Sequence, residues 1–269
     1  MRLLRRRLLA MTRQSPCRVI ALILLMIFSL SQAHATQIPL AKALVTEMVE
    51  KLRGHTNVSV YELTVTRPTW SRTTTLKVWD ARGSNHLLLR ILDPAKDKGI
   101  GFLRRDYNLW MYMPKVEKTI KIPPSMMLQP WMGSDFANDD LVKESSYIDD
   151  YTHHIEGEEV LDGQKVWRIE LLPKPQAPVV WGKLLLWLRQ ADRLPVRQQY
   201  FSEAGELIRD LRFKEIKVLD GVSIPTVWEM TPVKKPGNAT RLVLKEIDFD
   251  PFPAIPETVF TEQHLKSIE

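Results

Sequence analysis

Acid–base or metal chemistry would need clustered titratable side chains. One stretch offers them: His153 and His154, with Asp149, Asp150 and Glu156 nearby. Adjacent residues on a strand face opposite sides of a sheet, so at most one of these histidines can join a given site. The chain contains no HExxH, no GxSxG and no glycine-rich phosphate loop, and its one cysteine, Cys17, sits near the N-terminus. The pair therefore reads as histidines on a surface strand. Neither catalysis nor a metal, nucleotide or other cofactor is expected. What the sequence does offer is the binding of apolar matter, in NLWMYMPKVEKTIKIPPSMMLQPWMGSDFANDDL, residues 108–141.

That stretch opens as a strand in which Trp110, Tyr112 and Pro114 alternate with Leu109, Met111 and Met113. Pro123, Pro124 and Pro130 then forbid a long regular element, because each lacks an N–H and restricts the residue before it. Yet Met126, Met127, Leu128, Trp131, Met132 and Phe136 demand burial. A pliable flap closed over an apolar concavity reconciles the two. Methionine is unbranched and polarizable, so a wall of this composition can re-pack around chains of different shape. Trp110 and Tyr112 point to one strand face and join the candidate ligand contacts, Tyr112 needing a partner for its hydroxyl. Gly133 allows a sharp entry to a short helix that includes Leu141. Ser134 and Asp135 suit its N-cap, and Asp139 and Asp140 its positive end.

Leu40 to Arg53 reads as a helix, with Leu40, Leu44, Met48 and Leu52 on one stripe and Gly54 as its stop. About ten to twelve strands are expected, from the segments Val58–Arg67, Arg72–Asp80, His86–Leu92, Ile100–Arg105, Leu109–Met113, Tyr151–Val160, Lys165–Leu172, Lys183–Arg189, Val196–Ser202, Leu207–Val218, Val222–Met230 and Thr240–Phe249. Val-Leu-Asp-Gly occurs twice, at 160–163 and 218–221, as shared hairpin chemistry. Strand after strand without intervening helices predicts antiparallel pairing in a strongly curved sheet or barrel. Leu184 to Leu188 is apolar on both faces, so both sides there must be covered. Basic pairs such as Arg104-Arg105 and Lys234-Lys235 read as solvated turn residues.

Residues 1–35 read as a cleavable signal peptide. Six arginines precede an apolar core from Val19 to Leu30, and Ala33-His34-Ala35 supplies the cleavage site after Ala35. The core is shorter than the ~20 residues that span a bilayer, so no permanent membrane span is expected after cleavage. The whole chain has 38 basic and 32 acidic residues. Removing the six leader arginines leaves 32 of each, so the mature chain carries no net charge and a nucleic-acid partner loses its support. Residues 36–269 are expected to form one domain, held by its own core since no cysteine remains.

Asp93-Pro94-Ala95-Lys96-Asp97-Lys98-Gly99, Trp110-Met111-Tyr112-Met113-Pro114, Gly133-Ser134-Asp135-Phe136 with Asp140-Leu141, and the closing Ile255-Pro256 and Phe260-Thr261 resemble outer-membrane lipoprotein-sorting proteins of the LolA/LolB-like superfamily. The resemblance implies a mainly β fold, an unclosed antiparallel barrel with an N-terminal helix and short lid helices plugging its concave side. It further implies a periplasmic carrier or chaperone in a Gram-negative type of envelope. Such a protein would shield the acyl chains of a lipoprotein or another lipid, receive cargo from an inner-membrane transporter and use no cofactor. The alternative within the same fold is a lipid sensor or accessory subunit that transports nothing. Burying ~14 methylenes at ~0.8 kcal/mol each releases roughly 11 kcal/mol. Association and ordering remove several of these, at least about 4 kcal/mol, and the small remainder keeps binding reversible.

Overall fold

The computed structural model describes residues 40–143, 147–251 and 253–267. The leader, Cys17 and the cleavage point after Ala35 lie outside the described residues. Helix α1 (40–53) buries Ala41, Leu44, Val45, Met48 and Val49 along one stripe. Gly54 ends it with a left-handed φ of 62°, donating its N–H to the Glu50 carbonyl at 2.8 Å. Leu40, expected on the stripe, is exposed.

Thirteen antiparallel strands then build one sheet: β1 (Thr56–Arg67), β2 (Trp70–Ala81), β3 (His86–Asp93), β4 (Gly101–Arg105), β5 (Asn108–Met113), β6 (Lys118–Lys121), β7 (Tyr151–Leu161), β8 (Gln164–Pro173), β9 (Lys183–Arg189), β10 (Pro195–Phe201), β11 (Leu207–Leu219), β12 (Val222–Pro232) and β13 (Ala239–Phe249). Their order is β6-β5-β4-β3-β2-β1-β13-β12-β11-β10-β9-β8-β7. Two meanders therefore meet at one seam, β1 against β13, while the outer strands β6 and β7 stay apart. The result is the mainly β, unclosed barrel with an N-terminal helix that the sequence implies. Strand β6 is the one unexpected strand. Lys118-Thr119-Ile120-Lys121 is too short and too charged to signal one, and it forms by pairing with β5.

Both Val-Leu-Asp-Gly segments turn as their residues dictate. Asp162 and Gly163 have φ of 50° and 76°, and Asp220 and Gly221 have 48° and 75°, the paired left-handed geometry of a tight hairpin. The doubly apolar β9 is covered on both sides. Leu184, Leu186 and Leu188 share the concave cluster with α1, and Trp187 lies under the Arg197 guanidinium, 5.1 Å from its ring centre. On the convex side of β3 to β5, Phe260 and Leu265 pack on Leu88, Leu103 and Tyr112. They come from the turn Glu257–Phe260 and from α3 (Glu262–Lys266). Gly101 leaves room for this packing, since a Cβ at that position would lie 2.7 Å from the tip of the Leu265 side chain, which would have to move.

Candidate functional site

The concave face holds a cavity of about 150 Å³. Leu63, Leu76, Val78, Leu87 and Leu89 of β1 to β3 form its floor, and Met48, Val49 and Leu52 of α1 one wall. Trp131 and Phe136, from the segment joining β6 to β7, help to close it. Tyr61, Phe213 and Trp228 line it from β1, β11 and β12 and are only half-buried. The Trp228 ring meets Tyr61 edge-on at 6.4 Å and Phe213 at 5.5 Å. A hollow of this size admits a group about as large as benzene. A whole acyl chain needs more room, so the covering segment must shift to take one.

A charged cluster stands in the same wall. Asp80 accepts two hydrogen bonds from Arg53, at 2.6 and 2.7 Å, and a third from Arg104 at 3.0 Å. All three side chains are buried, Arg104 completely. Burial raises the Asp80 pKa, but the charges of Arg53 and Arg104 outweigh it and hold the carboxyl below its ordinary 3.8. Arg104 also donates to the Leu141 carbonyl at 2.9 Å, which ties helix α2 (Asn138–Lys143) to the sheet. Arg104 was expected in solvent. Its partner Asp80 lies 24 positions away and no local pattern announces the pair.

The flap is stapled to itself and latched to the sheet. Within it, Trp131 donates its backbone N–H to the Phe136 carbonyl at 2.8 Å, and Asp139 to the Met127 carbonyl at 2.9 Å. Met132 and Gly133 both take left-handed φ, 51° and 72°, to make the turn. Arginines from the sheet then grip it. Arg67 donates to the Gly133 carbonyl at 2.6 Å and pairs with Asp135 at 3.0 Å, and Arg72 donates to the Met132 carbonyl. Arg209 pairs with Asp140, donates to the Asp135 carbonyl at 3.0 Å, and lies 4.3 Å from the Trp181 ring centre and 4.2 Å from that of Tyr200. Burial disfavours the Arg209 charge, yet Asp140 more than restores it and its pKa is raised. Thr240 donates its hydroxyl to Asp135 at 2.7 Å and accepts the Asp135 N–H at 2.8 Å.

Of the expected site residues, Trp131, Phe136, Asp140 and Leu141 line the cavity. Met127 and Met132 pack behind them in the cluster that contains Trp131, whereas Met126 and Leu128 are exposed at 45% and 56%. Trp110 and Tyr112 do share a face, but it is the convex one, where both join the cluster of Phe260 and Leu265. Their strand neighbours Leu109 and Met111 face the concave side instead. Ser134 and Asp135 are not the caps of α2. The Ser134 hydroxyl accepts from the Phe136 N–H at 3.1 Å, and Asp140 receives the Ala137 N–H at 2.7 Å. Asp139 and Asp140 do occupy the first turn of α2. Arg209 and Tyr200 had no local signal, because long-range pairing alone brings them to the flap.

His153 is buried at 4% exposure, a correction to its reading as a surface residue. Its ring bonds to the Tyr147 carbonyl at 2.7 Å, and burial lowers its pKa, so it is neutral at pH 7. The Tyr147 hydroxyl, at the cavity wall, accepts from Gln198 at 3.0 Å, and burial pushes its pKa well above the usual value. Among the described residues no group of three or more His, Cys, Asp or Glu side chains is placed to hold a metal ion. No described helix is long and apolar enough to cross a membrane.

A family model described as "Uncharacterized protein" matches residues 83–267. No curated protein matches the chain in sequence. Among solved structures, a DUF1329 family protein from Desulfovibrio piger is similar with a TM-score of 0.78 and 20% identity, over 85% of this chain and 99% of that one. A domain described as an outer membrane lipoprotein-sorting protein, from Vibrio parahaemolyticus, is similar with a TM-score of 0.75 and 23% identity, over 86% and 100%. A LolA superfamily protein from Nitrosomonas europaea is similar with a TM-score of 0.70 and 21% identity, over 83% and 98%.

Proposed function

The chain belongs to the family whose model spans residues 83–267 and is LolA-like in fold, and from that premise we propose that it is a periplasmic lipid-binding carrier. It shields acyl chains of a lipoprotein or lipid in the concave cavity for transfer toward the outer membrane, and takes its cargo from an inner-membrane transporter. The observation that carries this reading is the apolar cavity itself, bounded by α1, the sheet and the flap. The leader of residues 1–35 and the Ala35 cleavage site support export. The charged groups in the wall, Arg53, Asp80 and Asp140, are engaged in ion pairs, which favours carriage over catalysis. The buried Trp131 indole N–H has no hydrogen-bond partner among the described residues, so a ligand carbonyl reaching it would gain a bond that the empty wall lacks.

The test is extraction and mass spectrometry of the freshly purified mature protein, followed by displacement of a fluorescent fatty-acid probe. Bound lipid and saturable probe binding are expected, with affinity falling at least tenfold in Leu63→Asp and Leu89→Asp. Circular dichroism confirms which variants fold, and Phe213→Asp, at a half-buried wall position, serves if the deeper changes do not. Probe binding unchanged in every folded variant overturns the proposal. Movement of labelled lipid between donor and acceptor vesicles distinguishes a carrier from a sensor, which binds without transferring.

A further inference from the structure

We infer that one end of the half-barrel, made by the β5–β6, β3–β4, β1–β2 and β12–β13 turns, docks on an anionic bilayer surface. Antiparallel alternation sends these four turns to the same end, where the strand order makes them neighbours; the β8–β9 and β10–β11 connections, residues 174–182 and 202–206, reach that end farther along the sheet and add Lys174, Glu203 and Glu206. Contact bears this out: a Cβ on Gly99 would sit 3.4 Å from Pro114, and one on Gly237 3.3 Å from Pro68. Residues 67–70, 93–99, 114–118 and 232–239 hold Arg67, Lys96, Lys98, Lys115, Lys118, Lys234 and Lys235 against Asp93, Asp97 and Glu117. All six lysines are exposed, and among the described residues only Lys234 has an ion pair, with Glu206 at 2.9 Å. Three turns also present a large apolar side chain to solvent: Trp70 at 48%, Val116 at 55% and Val233 at 50%.

The opposite end lacks this charge, although it too exposes a large aromatic side chain, Tyr107 at 48%. Its turns at 82–85, 105–108, 161–164, 190–194 and 219–222 hold Arg82, Arg105 and Arg193 against Asp106, Asp162, Asp192 and Asp220. Since the mature chain has no net charge, attraction to an anionic surface would come from this one end rather than from the whole molecule. Single apolar tips between lysines suit the headgroup boundary, where the ammonium groups meet phosphate and the tips enter shallowly. A protein partner would favour one contiguous apolar patch, which separated tips do not form. The flap's Met132 and Gly133 carbonyls are held by Arg72 and Arg67 near the β1–β2 turn, so docking brings the flap to the bilayer.

The inference extends the carrier reading but is measured apart from it, by co-sedimentation with vesicles of phosphatidylcholine alone or with phosphatidylglycerol added. Binding to the anionic vesicles only is expected, weakened at high salt. Lys115→Glu with Lys235→Glu should lower it at least tenfold, since each lysine contributes about fivefold. Arg105→Glu with Lys165→Glu, the same charge change at the other end, should leave it within about twofold. Trp70→Ala should lower it with salt dependence retained. Equal loss in both double variants, equal binding to neutral vesicles, or no vesicle binding overturns the inference, the last leaving the rim to a protein partner. Probe binding in the cavity stays unchanged in the rim variants, so failure here and failure of the carrier reading are distinguishable.

Discussion

Asp80 shows how a single side chain can govern the wall of the cavity. It sits on the concave face of β2 in register with Leu76 and Val78, where an apolar residue would suit the alternation. Two arginines converge on it, and removing one partner from such a buried arrangement costs about 3–5 kcal/mol. Its folded pKa lies below the unfolded value, so in acid the unfolded chain binds the proton first and stability falls with falling pH. The contribution is complete above the ordinary 3.8 and is lost as pH drops through the folded pKa. Urea denaturation between pH 2 and 7 should therefore show Asp80→Asn less stable by about 3–5 kcal/mol at neutral pH. The gap to the unmodified protein should narrow below about pH 4. A gap that stays constant with pH would contradict the assignment. None of this was legible locally: Asp80 ends a run that reads as an ordinary strand, and Arg104 reads as one half of a basic turn pair. Pairings across the sheet create the site, and sequence spacing does not record them.

The elements themselves were far easier to read. Alternation, Asp-Gly turns and a four-residue apolar stripe carry their own geometry, so twelve strands and α1 follow from the residues. The flap was legible as an apolar, proline-broken connection, but its direction was not. Pattern alone could not say that Leu109 and Met111 face the hollow while Trp110 and Tyr112 face the C-terminal cover. Nor could it say that Met126 and Leu128 stand in solvent beside a buried Trp131. What holds the flap is a set of bonds from Arg67, Arg72 and Arg209 to its carbonyls and carboxylates. Arg67→Ala with Arg72→Ala should speed hydrogen exchange of the amides of residues 131–139 at least tenfold, with strands β8 to β10 unchanged. The corresponding loss of local stability is about 1.4 kcal/mol or more. Release of a bound probe should quicken in parallel, as stopped-flow fluorescence would report.

On the scale of the molecule, the resting hollow and the proposed cargo differ in size. A cavity of about 150 Å³ receives a small group, whereas an acyl chain of ~14 methylenes needs several times that space. If the flap yields, affinity in a series of fatty acids from six to fourteen carbons should keep rising by up to about fourfold per methylene, as ~0.8 kcal/mol each implies. Calorimetry would show it, with loss of flap protection for the longer chains. A plateau at the shortest members would mean that the flap stays shut.

The strand order has one more consequence. Strands β6 and β7 follow each other in the chain yet occupy the two outermost places of the sheet, with the whole flap strung between them. No strand pairing in either meander depends on that connection being continuous, and the meanders meet through β1 and β13 alone. Two separately expressed fragments, 36–127 and 128–269, should thus reassemble into one native-like complex through that seam, joined also by the grip of Arg67 on Asp135. Co-purification of a tagged first fragment with an untagged second would demonstrate it. Thr64→Pro, which removes a backbone N–H that faces β13 opposite Arg241, should abolish the reunion.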